Sequence, residues 1–240
     1  MTDTSPDSAA SAFSEWREGV AELAPAMIAA MPLALLYGAI AAGKGLSPFA
    51  VALSSGLVFA GGAQLAAIEM WTSPVPVAGI ILSTVLINAR YVLMAASLAP
   101  KVGHMPIWAR LLGFHVLADE NWALAERRAA ARRLTLAYFL GAGAVFWVNW
   151  VFFSWLGAIV GPLIGDPRRF GADFAFTAIF IGLVAGFVTT RRHVAVVVAS
   201  AAAATLVHQM LGSPWHVLAG AFAGMAMAVV VWRPEAEAVA

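Results

Sequence analysis

The sequence predicts an all-α polytopic integral membrane protein, and three observations lead there. Apolar residues make up 62% of the 240 and charged residues only 11%, with a mean hydropathy of +0.84. A soluble domain of this size has far more surface than so few charges can cover. The charges are also clustered, which leaves uncharged windows as long as the roughly 20 residues that cross ~30 Å of hydrocarbon. Finally, these windows are continuously apolar, without the alternation of barrel strands. About seven transmembrane helices are expected, with one further polar helical segment that is partly inserted or lies at the interface. They form a single transmembrane domain over 24–232, between a polar tail or interfacial segment at 1–23 and a tail at 233–240.

Ala24–Ala42 is the first window, with Pro25 near its start, where a missing N–H is tolerated, and Pro32 deeper, where a kink is expected. A turn at Gly43–Pro48 leads to the second window, Phe49–Ile68, which carries the small-residue run Ala60–Ala63. The proline-rich turn Thr72–Pro76 precedes the third, Val77–Ala99. Ile107–Glu126 is the polar segment: His115, Asp119, Glu120 and Asn121 are too costly to face lipid unless other helices enclose them. Leu134–Gly161 and Phe174–Thr190 are further windows, and Val194–Trp232, too long for one helix, is split at Gly212–Pro214. Three GxxxG pairs, Gly157/Gly161, Gly182/Gly186 and Gly220/Gly224, predict close backbone contacts between helices. Trp71, Trp108, Trp147, Trp155, Trp215 and Trp232 lie near the proposed span ends, where interfacial anchors are expected.

Charge placement bears on orientation. Arg127, Arg128, Arg132 and Arg133 are expected on the cytoplasmic side. If Ile107–Glu126 crosses, both termini are inside, with Lys44, Lys101, Arg110, Arg168 and Arg169 outside. If it does not, the N-terminus moves outside, and only Arg17, Arg168 and Arg169 lie there. The second arrangement has the stronger bias and is the one expected, with an external N-terminus and a cytoplasmic C-terminus. The net charge of +1 leaves no basic excess for nucleic acid, and without cysteine there is neither a disulfide framework nor a thiolate site. The acidic, polar start lacks the basic region of a signal peptide. No P-loop and no Gly-x-Ser-x-Gly elbow is present, so neither ATP hydrolysis by that route nor a serine hydrolase is expected. An intramembrane protease would need Ser54 or Ser55 beside His115 or His208. No metal or cofactor is expected.

Three polar clusters need a reason to be in lipid. In the first, adjacent Gly61 and Gly62 weaken a helix by about 1 kcal/mol each. They point either to a broken helix whose freed backbone and Gln64 amide face a ligand, or to a tight crossing. In the second, Asn88 and Arg90 sit mid-span; Arg90 can bind a carboxylate bidentately or pair with Asp119 or Glu120 as structural glue. In the third, His115 and Asp119 share a helix face, with Glu120 and Asn121 beside them. Proton carriage, ammonium binding and a helix end dipping into the interface all fit this group.

The stretches VFAGGAQLAA (Val58–Ala67), INARYVLMAASLAP (Ile87–Pro100) and ADENWALA (Ala118–Ala125), with PLALLYG at Pro32–Gly38, occur in an order and spacing that resembles the AzlC family of branched-chain amino acid permeases. The resemblance covers about residues 20–165. Tyr91 departs from it, since the family often has histidine after the arginine. The resemblance implies a multi-pass plasma-membrane exporter of branched-chain amino acids such as L-valine, with a small hydrophobic AzlD-type membrane subunit as partner. A secondary mechanism coupled to protons through Asp119, Glu120 or His115 is the physical default, with Gly61, Gly62, Gln64, Asn88, Arg90 and Asn121 as candidate substrate contacts. The other class of function that fits is a non-transporting membrane scaffold or assembly subunit.

Overall fold

The computed structural model describes residues 6–164, 181, 184–185, 188–211 and 215–232. The described residues are helical, without strands. The helices are α1 (Pro6–Gly43), α2 (Pro48–Val58), α3 (Gly61–Glu69), α4 (Val77–Leu98), α5 (Ile107–His115), α6 (Asp119–Ala131), α7 (Leu136–Ile164), α8 (Arg191–Leu211) and α9 (Trp215–Val231). The chain forms two compact units: Met1–Trp71 with Ile87–Ala172, and Thr72–Leu86 with Asp173–Ala240.

The first unit is built on α1 and α7, which run parallel. Trp16 meets Gly141 and Gly19 meets Tyr138 near their starts; Leu35 meets Gly157 and Ala39 meets Gly161 near their ends. The last two contacts are the predicted Gly157/Gly161 pair, whose missing side chains let α1 backbone atoms come close. Gly38 does the same from the α1 side, against the backbone of Ser154 and Ala158.

α7 serves as a ruler for everything else in this unit. His104, in the loop after α4, donates to the Leu134 carbonyl at 3.0 Å, and Gly113 of α5 lies on Phe139. Val116, in the turn between α5 and α6, and Asn121, in the first turn of α6, lie on Gly143. Gly61, at the start of α3, lies on Trp150, in the middle of the 29-residue helix. The chain therefore enters along α5, turns at 116–118 beside Gly143, short of the midpoint of α7, and returns along α6. The end of α6 is back where α5 began: Arg128 pairs with Glu15 and Glu18, and Arg132 with Glu18, all beside the start of α7. Two short helices of 9 and 13 residues cannot each cross ~30 Å, but they can reach the middle and come back.

α2 and α3 make the matching excursion from the other end. Lys44, just past α1, donates to the carbonyls of Glu69 at 3.1 Å and Trp71 at 3.4 Å, so the end of α3 lies beside the start of α2. Their break is sharp. Phe59 adopts φ 41°, ψ 47°, a left-handed conformation that is uncommon for a bulky residue. Ser47 caps the start of α2 by accepting from Ala50 N–H at 3.2 Å.

These re-entrant hairpins correct the expectation of seven spans. Among the described residues four helices are long and apolar enough to cross: Ser11–Gly43 within α1, α4, Leu136–Leu163 within α7, and α8. Phe49–Ile68, read as one apolar span, is two half-helices that leave by the side they entered. Ile107–Glu126 does not cross either. The orientation changes with them. Because Glu15 and Glu18 meet Arg128 and Arg132, the start of α1 shares the arginine-rich end, the one expected on the cytoplasmic side. The expected arrangement, with the N-terminus outside and these arginines inside, does not fit this contact, since it assumed that Phe49–Ile68 crosses. Among the described residues of the unit, Arg17, Lys101, Arg110, Arg127, Arg128, Arg132 and Arg133 then lie at that end, against Lys44 at the other.

α1 begins at Pro6 and continues from the expected tail into the first span without interruption. In the second unit, α8 and α9 pack through Gly220 and Gly224 against Ser200 and Ala204, and Ser200 Oγ donates to the Gly220 carbonyl at 2.9 Å. The Gly182/Gly186 pair, most of Phe174–Thr190 and the Gly212–Pro214 split lie outside the described residues.

Candidate functional site

The two hairpin tips and the middle of α4 come together halfway along α7. A helix that stops in lipid must satisfy the carbonyls it releases, and here side chains do so. The Gly56 carbonyl of α2 accepts from Trp147 Nε1 at 2.9 Å and from His115 Nε2 at 3.0 Å. A carbonyl can only accept, so His115 carries its proton on Nε2 in this contact. The Phe59 carbonyl accepts from Tyr91 Oη at 3.3 Å. Tyr91, the departure from the family pattern, therefore anchors the α2–α3 break from α4, while His115 anchors it from the second hairpin.

Gln64 is buried and bonded at both amide atoms: Nε2 donates to Ser55 Oγ at 3.1 Å, and Oε1 accepts from Trp150 Nε1 at 2.8 Å. It fastens α3 to α2 and α7. Gly61 is required to be small, since a Cβ there would stand 2.7 Å from the Trp150 ring; Gly62 follows it in the first turn of α3. Ser54 donates to the Val51 carbonyl at 2.9 Å, which makes the Tyr37 hydroxyl, 2.7 Å away, the donor to Ser54 Oγ. His115 thus spends its proton on the Gly56 carbonyl rather than on either serine.

Asn121 also works within the fold. Its Oδ1 accepts from the Ala118 N–H at 2.7 Å and its Nδ2 donates to the Val116 carbonyl at 2.8 Å, closing the turn that opens α6. That leaves Asp119 and Glu120 in the first turn, where the positive end of the helix favours carboxylates. Asp119 Oδ2 lies 2.6 Å from Arg90 Nη1, with both side chains about one-third exposed. Arg90 Nε, and Asn88 Oδ1 two residues earlier on α4, are buried without a bonding partner among the described residues. Glu120 is exposed.

Of the candidates, the fold therefore joins Arg90 and Asp119 into one partly open polar pair, with Glu120 beside Asp119 in the first turn of α6, whereas His115 serves the α2–α3 break. Gly61 and Gln64 instead fit the first hairpin to Trp150, and Asn121 closes the turn before α6. Sequence reasoning missed Trp147 and Trp150. Trp147 was expected as an interfacial anchor, but it lies mid-helix and holds the Gly56 carbonyl. The polar demand of the break could have signalled this, because an indole N–H in a buried stretch needs an acceptor. No group of three or more His, Asp or Glu among the described residues is placed to hold a metal.

A family model described as AzlC protein matches residues 25–164. The chain belongs to the AzlC family. The match begins in α1 and ends with α7, so it covers both hairpins and the Arg90–Asp119 pair. An uncharacterized membrane protein of Archaeoglobus fulgidus is 28% identical over 87% of this chain and 92% of its own length. The inner membrane protein YgaZ of Escherichia coli K12 is 26% identical over 89% of both chains. An uncharacterized membrane protein of Helicobacter pylori J99 is 26% identical over 63% of this chain and 66% of its own. No solved structure matches. As an AzlC-family member the chain is a multi-pass membrane protein of a transporter family.

Proposed function

We propose that this chain exports branched-chain amino acids such as L-valine, driven by the proton gradient, together with a small hydrophobic AzlD-type membrane subunit. The observation that carries this reading is the Arg90–Asp119 pair at the meeting point of two half-helices. A zwitterion can replace each partner of the pair: its carboxylate takes the place of Asp119 on the guanidinium, and its ammonium takes the place of Arg90 at the carboxylates. Arg90 Nε, without a partner among the described residues, offers one further donor there. Discontinuous helices meeting at mid-depth are the arrangement many transporters use to bind polar solutes.

Proton coupling falls to Asp119, Glu120 and His115. Export driven by an inward proton gradient requires substrate and proton to compete for one site: the ionised carboxylates hold the substrate's ammonium, and a proton taken up from outside neutralises them and releases the substrate.

The test is valine flux in vesicles containing the purified chain, with and without the partner subunit, across an imposed pH gradient. Flux should require Arg90, and Arg90→Gln should abolish it. Asp119→Asn or Glu120→Gln should lose gradient-driven flux while keeping valine–valine exchange. Normal gradient-driven flux in both carboxylate variants would rule out coupling at these residues. No amino acid flux with the partner present would leave the chain as a membrane scaffold.

A further inference from the structure

α6 is held on two faces, and the two differ in kind. Towards α4, Asp119 meets Arg90, Trp122 Nε1 donates to Ser97 Oγ at 2.9 Å, and Glu126 meets Ser97 and Lys101. On another face, Asn121, Ala125 and Arg128 are buried against the rest of the unit. That face ends in a cluster of ion pairs. The Arg128 side chain is only 4% exposed, lies 3.9 Å over the Tyr138 ring and pairs with Glu15 and Glu18. Around it Arg132 pairs with Glu18, Arg127 lies 3.0 Å from Glu22, Tyr138 donates to Glu22 at 2.8 Å, and Thr135 donates to Glu15 at 2.8 Å.

Glu15, Glu18 and Glu22 recur at helical spacing and form one acidic stripe on α1. α6 thus has the site carboxylate at its first turn and a buried, paired arginine near its last. A short rigid helix with those two attachments is a lever.

We propose that the Glu15–Glu18–Arg128–Arg132 cluster is the cytoplasmic latch of this transporter. While it is closed, α6 is clamped to α1 and α7 and the Arg90–Asp119 group is shut off from the cytoplasm. When it opens, α6 swings as a unit, uncovers its Ala125 face and lets cytoplasmic solute reach the group. The proposal rests on the transport reading for its purpose, but the motion can be measured without transport.

The absence of native cysteine makes the test direct. Ala125 is 1% exposed and lies one turn before Arg128, so Ala125→Cys places a single small thiol under the clamp. Its modification by a membrane-impermeant maleimide is timed from each side of the membrane. With the latch intact it should be slow from both. Adding Glu15→Gln and Glu18→Gln should raise the rate about tenfold from the cytoplasmic side and leave the other side unchanged. If that triple variant fails to elute as a folded particle, salt replaces it. The pairs at Glu18 and Arg132 are partly exposed and screened by ions, so going from 0.05 to 0.5 M salt should speed labelling several-fold on the cytoplasmic side alone. A rate that moves with neither charge removal nor salt overturns the latch, whatever the flux. A rate that rises as expected in a protein that moves no amino acid keeps the latch and overturns the transport reading.

Discussion

At mid-depth, single hydrogen bonds decide whether the first hairpin holds its break. Trp150→Phe keeps the ring that packs on Gly61 but removes the donor to Gln64 Oε1. A buried acceptor left unpaired costs about 1–3 kcal/mol, so this variant should insert normally and unfold at lower temperature in detergent. An unchanged midpoint would mean that Gln64 finds another partner. Glu126 makes a second case. Burial pushes its carboxyl up, but the hydrogen bonds from Lys101 and Ser97 outweigh that, and its pKa lies below the ordinary glutamate value of 4.5. A depressed carboxylate stabilises the fold above its unfolded pKa, and the contribution disappears as pH falls through the folded pKa. Lys101→Met should therefore be less stable than the parent at pH 7, with the gap closing as the pH drops below 4.5. A gap that is constant from pH 7 to pH 3 would assign the loss to packing instead. Some of this residue chemistry was legible beforehand. Arg90 and Asp119 stand out because charge in an apolar stretch is costly, and pairing was the economical answer. The roles of Trp147, Trp150 and Tyr91 were not legible, because each answers a carbonyl or amide brought to it by another helix.

Elements explain what hydropathy misread. A window of 20 apolar residues predicts a crossing whether or not the chain turns back within it. Gly61 and Gly62 raised the possibility of a break in Phe49–Ile68, but what stabilises the break is non-local: a tyrosine from α4, a tryptophan from α7 and a histidine from α5. The same holds for the acidic start of α1, whose stripe of glutamates looks like a solvated face until the α6 arginines are set against it. Reporter fusions test the hairpins. Tags at Gly45 and Thr72 should both report the exterior, and tags at Gly103 and Arg133 should both report the cytoplasm. Opposite signals within either pair would restore a crossing there. At the α1–α7 seam the constraint is steric. A Cβ on Gly38 would run into the backbone of Ser154 and Ala158 on α7. Backbone cannot rotate away as a side chain can, and overpacking costs about 1–3 kcal/mol even in cores that adjust. Gly38→Ala should cut the yield of folded protein sharply, whereas Gly43→Ala, with open space at its Cβ, should not. Equal yields would mean that the helices separate at little cost.

On the scale of the whole molecule, the family match and the first compact unit cover nearly the same ground, ending at 164 and 172. The helical, membrane-spanning class could be read from composition alone, since it depends on sums over the chain. The number of crossings could not, because it depends on where the chain reverses. The parallel pairing of α1 with α7 also bears on how the protein is made. Between Gly43 and Leu136 the ribosome must add both hairpins and α4 before the seam partner of α1 exists. At about 5–20 residues per second that wait lasts on the order of 5–20 s. Throughout it Gly38 faces lipid, while Glu15, Glu18 and Glu22 lack the arginines that neutralise them. Biogenesis therefore has a vulnerable interval early in translation. Agents that slow elongation, or loss of the insertion machinery that shelters lone helices, should harm this chain more than one whose neighbours in space are also neighbours in sequence.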